Sequence, residues 1–245
     1  MRYLILSDMH GNWEAFDQVL RRAAEEPFDR ILVLGDLVGY GASPNEVVEA
    51  VRALPDPVLV RGNHDKVICG IDPGENFNQI ALQAARWTTH RLTAENLDYV
   101  RELPPGPKEI APGTYICHGS PLDEDAYVFS DYDAFEIFSA HPAELIFFGH
   151  THVPSLFALS RRGIEVRVLR GNGSLVLEEG TRYLVNPGSI GQPRDRDPRA
   201  AFMIWDAGTR TIHWFRIDYE IPGAQRRIVE AGLPGVLSDR LAVGI

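Results

Sequence analysis

The first 60 residues alternate short apolar runs with segments of helical periodicity. The apolar runs RYLIL, RILVL and PVLV are too short for helices and are typical of strands buried on both faces. Residues 13–26 and 43–54 instead repeat apolar residues at helical spacing, with Asn12 and Ser43 at their N-cap positions. This order predicts a βαβαβ unit with parallel strands and right-handed crossovers.

The pattern changes after the third apolar run. Residues 75–103 predict two helical pieces, broken near Thr93 and inserted after the third strand, where they can cover the strand ends. Beyond residue 110, eight strand-like segments accompany a single predicted helix at about 131–140. Several of these segments alternate with period two and are joined by short turns. We therefore expect a second, largely antiparallel half-sheet.

No repeat, low-complexity segment or shift in composition divides the chain. We therefore expect one domain over residues 1–245, with a core at about 1–220 and the helical insertion at about 75–103. The tail at 221–245 is punctuated by Gly and Pro, which predicts a helix followed by a loosely held end.

Composition excludes several functional classes. A chain of 245 residues with 44% hydrophobic content can bury a sizeable core. A formal net charge of −10 argues against extended nucleic-acid binding, which depends on concentrated Lys and Arg. No apolar stretch approaches the roughly 20 residues that a membrane span requires. With only two cysteines, Cys69 and Cys117, we expect reduced thiols and a cytoplasmic protein, and a homo-oligomer is left open.

Polar residues follow six of the apolar runs, at the points where the predicted strands end. They are Asp8 and His10; Asp36; Asn63, His64 and Asp65; His118; His150 and His152; and Asn186. In open α/β sheets, ligands bind in the crevice beyond the carboxyl ends of the strands. We therefore expect these clusters to converge on one site.

The residue types in these clusters predict a metal centre. The seven candidate donors are Asp8, His10, Asp36, Asn63, His118, His150 and His152. Oxygen and imidazole donors suit Mn, Fe, Zn, Ni or Co, and seven exceed the four that a closed structural zinc uses. Two divalent ions sharing a carboxylate account for this number most economically. Because two such ions outweigh the two carboxylates in charge, the centre stays cationic and attracts phosphate.

His64 stands between metal-type donors and is placed for a different task. Hydrolysis of a phosphoester requires a nucleophile and a proton for the leaving oxygen. A metal-bound hydroxide supplies the first, since a metal lowers the pKa of its water toward neutrality. We expect His64 to supply the second as a general acid.

Five separated motifs occur in an order that resembles the calcineurin-like metallophosphoesterase superfamily, over about residues 3–190. The motifs are Asp8-x-His10, Gly35-Asp36, Gly62-Asn63-His64-Asp65, His118 and Gly149-His150-Thr151-His152. The resemblance implies an α/β (α+β) fold: a four-layer α/β/β/α sandwich of two mixed sheets flanked by helices, with the metal centre at the carboxyl ends of the strands. The compact length and the NPGS segment look like the single-domain prokaryotic branch of phosphodiesterases and phosphatases.

The resemblance also implies roles for individual residues. Asp8, His10 and His152 would hold one metal, and Asn63, His118 and His150 the other. Asp36 would bridge the two ions, which makes it catalytic together with His64, the general acid.

The chain departs from the family pattern at Gly39-Tyr40. The protein Ser/Thr phosphatases of the family carry Asp-Arg there, and that Asp orients the acid histidine while that Arg grips phosphate. An assignment as a protein phosphatase is therefore weakened. The residues that contact the phosphate are left unassigned by the family pattern. The candidates for substrate binding are Asn12, Tyr40, Arg61, Asn186 and Arg194.

The leading hypothesis is a phosphoesterase that hydrolyses phosphodiester or phosphomonoester bonds of a small substrate. A nucleotide-specific hydrolase acting on diadenosine polyphosphates or cyclic nucleotides is one alternative. Another is a non-catalytic metal-binding interaction module, because a retromer subunit shares the fold but lacks the acid histidine. The presence of His64 favours an enzyme.

Overall fold

A computed structural model describes all residues, 1–245, and contains twelve strands and eight helices. The strands are β1 (Arg2–Leu6), β2 (Arg30–Val33), β3 (Val58–Leu59), β4 (Lys108–Ala111), β5 (Thr114–Ile116), β6 (Leu145–Phe147), β7 (Ser155–Ser160), β8 (Gly163–Val168), β9 (Gly173–Val176), β10 (Arg182–Asn186), β11 (Ala200–Asp206) and β12 (Thr211–Ile217). The helices are α1 (Trp13–Ala23), α2 (Pro44–Arg52), α3 (Asn63–Ile68), α4 (Gln79–Arg91), α5 (Ala94–Arg101), α6 (Asp131–Ala140), α7 (Ile221–Glu230) and α8 (Gly235–Val243).

The strands form two six-stranded sheets. The first has the order β3-β2-β1-β11-β12-β9 and the second β4-β5-β6-β10-β7-β8. In the first sheet β1, β2 and β3 are parallel, as the βαβαβ pattern predicts, and β11 pairs antiparallel with the other edge of β1. In the second sheet β5, β6 and β10 are parallel, whereas β4, β7 and β8 are antiparallel to their neighbours. Both sheets are therefore mixed.

Alternate side chains of β1 point to opposite faces of the first sheet and pack against different layers. Leu4 and Leu6 face a cluster that includes Phe16 of α1 and Val47 of α2. Tyr3 and Ile5 face the opposite way, into a cluster shared with β6 and β10 of the second sheet. The far face of the second sheet packs on α6, through residues that include Ile137. Helices, sheet, sheet and helix follow one another, which confirms the four-layer α/β/β/α sandwich that the resemblance implies.

The expectation of a second, largely antiparallel half-sheet is met in that three of the five pairings in the second sheet are antiparallel, but three of the expected strands do not belong to that sheet. Strands β9, β11 and β12 extend the N-terminal sheet, while β5, β6 and β10 make a parallel core for the second one. Periodicity reports which face of a strand is buried but not which strand edge it pairs with. The free edge of β1 is the position that β11 fills.

The insertion after β3 is confirmed in its two-helix form. Thr93 separates α4 from α5 and caps α5 with its hydroxyl, which accepts the Asn96 amide. Two short elements are not predicted: α3, which begins at Asn63, and the edge strand β4. Neither is long enough to display a clear periodicity.

The C-terminal end is a packed element, so the expectation of a loosely held end is wrong. Leu237 and Leu241 of α8 are buried in a cluster with Ala224 of α7 and with Tyr40. The single Gly/Pro-rich turn between the two helices obscures their shared apolar face. No helix in the structure is long and apolar enough to cross a membrane.

Candidate metal centre

The strand ends of both sheets bring the predicted donors together in one buried place. Asp8 and His10 follow β1, Asp36 follows β2, and Asn63 follows β3 in the first sheet. His118 follows β5, and His150 and His152 follow β6 in the second sheet. All of them except the half-buried Asn63 are buried, and the two sheets meet where these loops converge.

Five of these donors have a backbone conformation that non-glycine residues rarely adopt. Their φ angles lie between 49° and 66°; the residues are Asp8, His10, Asp36, His150 and His152. Left-handed conformations cost about 1–3 kcal/mol each at non-glycine positions and persist only where the surroundings impose them. Their concentration at the strand ends indicates a functional site.

One set of donors consists of Asp8, His10 and His152, and we call it the inner group. In this group two imidazole nitrogens face each other with their lone pairs. The Nδ1–H of His10 donates to the Val38 carbonyl at 3.2 Å, and that of His152 donates to the Gln192 carbonyl at 2.6 Å. Both Nε2 atoms are therefore acceptors, yet they lie 3.1 Å apart. Two acceptors at this separation attract each other only through a cation. This arrangement fits a divalent metal ion.

Asn63, His118 and His150, called here the cleft group, also bring metal-type donor atoms close together. The Nδ1–H of His118 donates to the Leu34 carbonyl at 2.8 Å, so Nε2 is the nitrogen left to face a metal ion. That Nε2 lies 3.1 Å from Asn63 Oδ1 and 3.1 Å from His150 Nδ1. His150 Nε2 is buried and has no hydrogen-bond partner.

Asp36 lies between the two groups. Its Oδ2 is 3.4 Å from Nε2 of His10 and 3.4 Å from Nε2 of His118, and it accepts no hydrogen bond. Its Oδ1 accepts the His64 amide at 2.9 Å. The donor atoms of Asp36 and the inner-group side chains lie within 4.8 Å of one another, and so do those of Asp36, His118 and His150. One carboxylate thus belongs to both sets.

The protonation states of the histidines suit metal binding. Burial lowers the pKa of His10 and His152 well below the usual value, and that of His150 to about 3. These imidazoles are neutral at pH 7, as metal ligands must be. Burial also disfavours the charged form of His118, but the adjacent Asp36 carboxylate outweighs it and raises this pKa to about 10. A metal ion would take the place of that proton.

His64 is held by rings rather than by a carboxylate. Its ring centroid lies 4.3 Å from that of Tyr40 and 4.5 Å from that of Phe77. A Cβ at Gly39 would lie 2.5 Å from His64 Nδ1, so the ring occupies the space that the absent side chain leaves. This explains the departure at Gly39-Tyr40 physically. With Nδ1 unpartnered, burial lowers the pKa of His64 to about 4.

Three of the predicted substrate-binding residues are engaged elsewhere. Asn12 accepts the Ala15 amide as the cap of α1 and donates to the Gly191 carbonyl. Asn186 donates to the Gly149 carbonyl and to the Thr151 hydroxyl, which shapes the loop that carries His150 and His152. The guanidinium of Arg61 is bound by both carboxylate oxygens of Glu124. These contacts hold loops in place.

Tyr40 and Arg194 remain available next to the cluster. The Tyr40 ring lies 4.7 Å from the His10 ring, and the Arg194 guanidinium lies 5.8 Å from the Tyr40 ring. Arg194 has no carboxylate partner, and its Nε is buried without any partner. Arg240 of α8 approaches the same ring at 6.0 Å. Sequence reasoning did not find Arg240, because nothing in its segment signals proximity to the centre.

Two supporting residues have no role in the sequence-based prediction, although Asp65 stands inside a recognised motif and Ser7 directly precedes one. The Ser7 hydroxyl donates to Asp8 Oδ2 at 2.6 Å. Asp65 accepts the Leu37, Val38 and Gly62 amides, which ties the loops after β2 and β3 together. Ser7 is directly beside the donor Asp8 and Asp65 is two residues from the donor Asn63, and this closeness in sequence was the available signal.

The chain belongs to the calcineurin-like phosphoesterase superfamily, whose domain profile matches residues 1–210. Among solved structures, it is similar to a metallophosphoesterase from Sphaerobacter thermophilus, with 38% identity and a TM-score of 0.87, covering 100% of this chain and 99% of that one. It is 37% identical over 246 residues to an uncharacterized protein of Methanocaldococcus jannaschii, covering 98% of this chain and 97% of that protein. A shorter similarity, 33% identity over 82 residues, relates it to a symmetrical bis(5'-nucleosyl)-tetraphosphatase of Baumannia cicadellinicola subsp. Homalodisca coagulata, covering 33% of this chain and 28% of that protein.

Proposed function

We propose that this protein is a metal-dependent hydrolase of phosphodiester or phosphomonoester bonds in a small substrate. The observation that carries the proposal is the convergence of metal-type donor atoms, most clearly the two unprotonated Nε2 atoms of His10 and His152, which lie 3.1 Å apart. Membership of the phosphoesterase family supports the same chemistry.

The proposed centre holds two divalent ions, of Mn, Fe, Zn, Ni or Co. The inner group would hold one ion and the cleft group the other. Asp36 would be shared, because its Oδ2 lies 3.4 Å from Nε2 of His10 in the inner group and 3.4 Å from Nε2 of His118 in the cleft group. Bound ions of this kind polarise a phosphoryl oxygen and acidify water. The fixed Nδ1 donors of His10, His118 and His152 would keep each imidazole oriented for its ion.

His64 is the proposed general acid for the leaving oxygen. Its pKa of about 4 makes it neutral at pH 7 in the substrate-free site. A bound phosphate brings negative charge next to the ring, which favours the protonated form that the task requires. The hydrogen bond from the His64 amide to Asp36 ties the acid to the shared carboxylate.

Arg194 and Tyr40 are the proposed phosphate contacts. The guanidinium of Arg194 has donors to spare, and Tyr40 brings a hydroxyl 3.4 Å from Arg194 Nη2. Asn12, Arg61 and Asn186 act as positioning residues in this proposal, because their polar groups are already bonded to protein. The cytoplasm is the proposed location, and both cysteines are buried and unpaired.

A nucleotide hydrolase is the second candidate. The similarity to the symmetrical bis(5'-nucleosyl)-tetraphosphatase favours it, but that similarity covers only 33% of this chain. A non-catalytic binding module is disfavoured, because such a role needs neither His64 nor a full set of converging donors.

The test is hydrolysis of bis-p-nitrophenyl phosphate and p-nitrophenyl phosphate by the wild type with added Mn²⁺, Fe²⁺, Zn²⁺, Ni²⁺ or Co²⁺. We expect turnover, and His64→Ala to lower kcat by about 100-fold to 10⁴-fold, the usual contribution of general acid catalysis. His90→Ala, which changes an exposed histidine of α4, is the matched control. No turnover with any metal would refute the enzyme, whereas an unchanged rate in His64→Ala would remove only the role of His64.

A further inference from the structure

A cleft of about 250 Å³ opens beside the cleft group. Asn63, His64 and His150 line it, together with residues from the α3–α4 connection and from the loop that precedes α6. Phe77 lines it from the first of these segments and Tyr127 from the second. The proposed general acid therefore faces a space large enough for an organic group.

Both of these segments present aromatic rings around the reacting groups. The Phe77 ring lies 4.5 Å from the His64 ring, and the Tyr127 ring stacks on His150 at 3.9 Å with an interplanar angle of 21°. Phe129 stacks in turn on Tyr127 at 5.2 Å. Tyr127 and Phe129 are 48% and 59% exposed, so their stack leads from the metal ligand to solvent. Exposed rings of this kind stack well on planar groups.

The charges of the cleft oppose a second phosphate. No Lys or Arg lines it, whereas Asp72 and Asp125 do. The nearest ammonium, Lys66, is bonded to Asp125 at 2.6 Å and to Glu124 at 3.1 Å. Asp72 has no cationic partner and accepts only the Gly74 amide. An anionic extension of the substrate would meet the unpaired charge of Asp72.

The rim of the cleft offers hydrogen bonds instead. Asn76 and Asn78 line it, and Asn78 uses only its carbonyl oxygen, to cap α4. The amide group of Asn78 and the second carboxylate oxygen of Asp72 are therefore free to bind hydroxyl groups.

We propose that this cleft binds the leaving group of the substrate, and that this group is an uncharged alcohol carrying a planar aromatic ring and further hydroxyls, such as a nucleoside. The inference rests on the proposed function and names its substrate class: an ester with a single phosphate at the reacting position, rather than a polyphosphate chain running through the cleft.

The chemistry balances without a further reactant. The bond between phosphorus and the leaving oxygen breaks, and a bond forms from phosphorus to a water oxygen. His64 gives its proton to the leaving oxygen, and the proton lost by water restores the imidazolium. The products are the free alcohol and a phosphate with one more hydroxyl. The aromatic alcohol then departs through the open side of the cleft, past Tyr127 and Phe129.

The experiment compares leaving groups on the Mn²⁺-loaded protein. Three probes release alcohols of similar basicity: methyl benzyl phosphate, methyl cyclohexylmethyl phosphate and adenosine 5'-methylphosphate. The fourth probe, diadenosine tetraphosphate, releases a phosphate group, so its rate is compared only as a ratio between the wild type and a variant. We expect kcat/KM for the benzyl ester to exceed that for the cyclohexylmethyl ester about tenfold, the order of one stacking contact. The adenosine ester is expected to exceed both, because it also offers hydroxyls to Asp72 and Asn78.

Variants distinguish the contribution of the aromatic side chains of the cleft from that of the proposed general acid. Phe77→Leu and Tyr127→Leu are expected to bring the ratio of benzyl to cyclohexylmethyl rates close to one, and a ratio is insensitive to a general loss of activity. Phe135→Leu, at an exposed aromatic of α6, is the control and should keep the wild-type ratio. Asp72→Asn is expected to raise kcat/KM for diadenosine tetraphosphate relative to the benzyl ester several-fold. Thermal melting confirms that each variant folds.

Two results would overturn the inference while leaving the proposed function intact: equal rates for the benzyl and cyclohexylmethyl esters in the wild type, or a ratio of diadenosine tetraphosphate to benzyl ester rates that Asp72→Asn does not change. Preference for the benzyl ester over the adenosine ester would restrict the class to simple aromatic alcohols and would overturn the nucleoside assignment. If no phosphoester is hydrolysed with any metal, the proposed function itself fails.

Discussion

The inner group and the cleft group contain similar donors but are supported differently. His10 and His152 of the inner group each donate Nδ1–H to a backbone carbonyl, and both are essentially excluded from solvent. In the cleft group only His118 has such a carbonyl partner; His150 is held by the Tyr127 ring, and Asn63 lines the cleft. One half of the proposed centre is thus fixed by the backbone, and the other half lines the cleft that we propose binds the leaving group.

This difference leads us to expect that the inner group sets the metal affinity and that the cleft group meets the substrate. Backbone carbonyls do not move independently of the loops that carry them, so we expect the inner group to be preorganised for a metal ion. The cleft group is bordered by exposed side chains that can shift when a leaving group enters. We therefore expect the inner ion to be held more tightly than the cleft ion.

The largest expected effect comes from removing the carboxylate that joins the two groups. Asp36→Asn keeps the volume of the side chain but takes its charge away from both proposed ions. We expect the loss of kcat/KM to exceed about 100-fold, the upper end of what outer-shell changes produce, because here a ligand itself is lost. Metal content by mass spectrometry should fall for both ions. Asp131→Asn, on the exposed face of α6, is the control, and two retained ions in Asp36→Asn would contradict a shared carboxylate.

Changing one ligand in each group tests the asymmetry directly. His150→Ala and His152→Ala should each leave about one ion per chain, because each removes a donor from one group only. The ion that remains in His150→Ala should be released by a chelator about tenfold more slowly than the one in His152→Ala, since oriented ligands hold metals more tightly. Metal content followed during dialysis against the chelator is the measurement. Equal release rates would show that the two groups do not differ.

The smallest effect is expected from a support of the inner group. The Ser7 hydroxyl donates to Asp8 Oδ2 at 2.6 Å inside the buried cluster. Ser7→Ala should weaken the inner ion about 10-fold to 100-fold, the usual range for such partners, and excess Mn²⁺ should restore the rate. A metal titration measures the shift. Ser139→Ala removes a hydroxyl that is hydrogen-bonded within α6 and serves as the control. An unchanged metal titration in Ser7→Ala would mean that only the histidines account for the difference in metal affinity between the inner group and the cleft group.

The metal-type donors were predictable because each follows an apolar run. Buried strands that end together must deliver the next polar residues to one edge, and this rule found Asp8, Asp36 and His118 without any contact information. The roles of Arg61 and Asn12 were not predictable in this way. A guanidinium or an amide in a loop binds whatever lies nearest, and the partners, Glu124 and the Gly191 carbonyl, are distant in sequence.

The sequence by itself determined most of the strands and helices in their order, the acidic net charge and the set of side chains able to hold divalent ions, because burial and donor chemistry are properties of local pattern and residue type. Only the tertiary structure decided that β11 pairs with β1, that α8 packs against Tyr40, and that Phe77 and Tyr127 border His64 and His150. Strand edges, helix faces and exposed rings can each pair with several partners. The choice among them depends on how the whole chain closes its core.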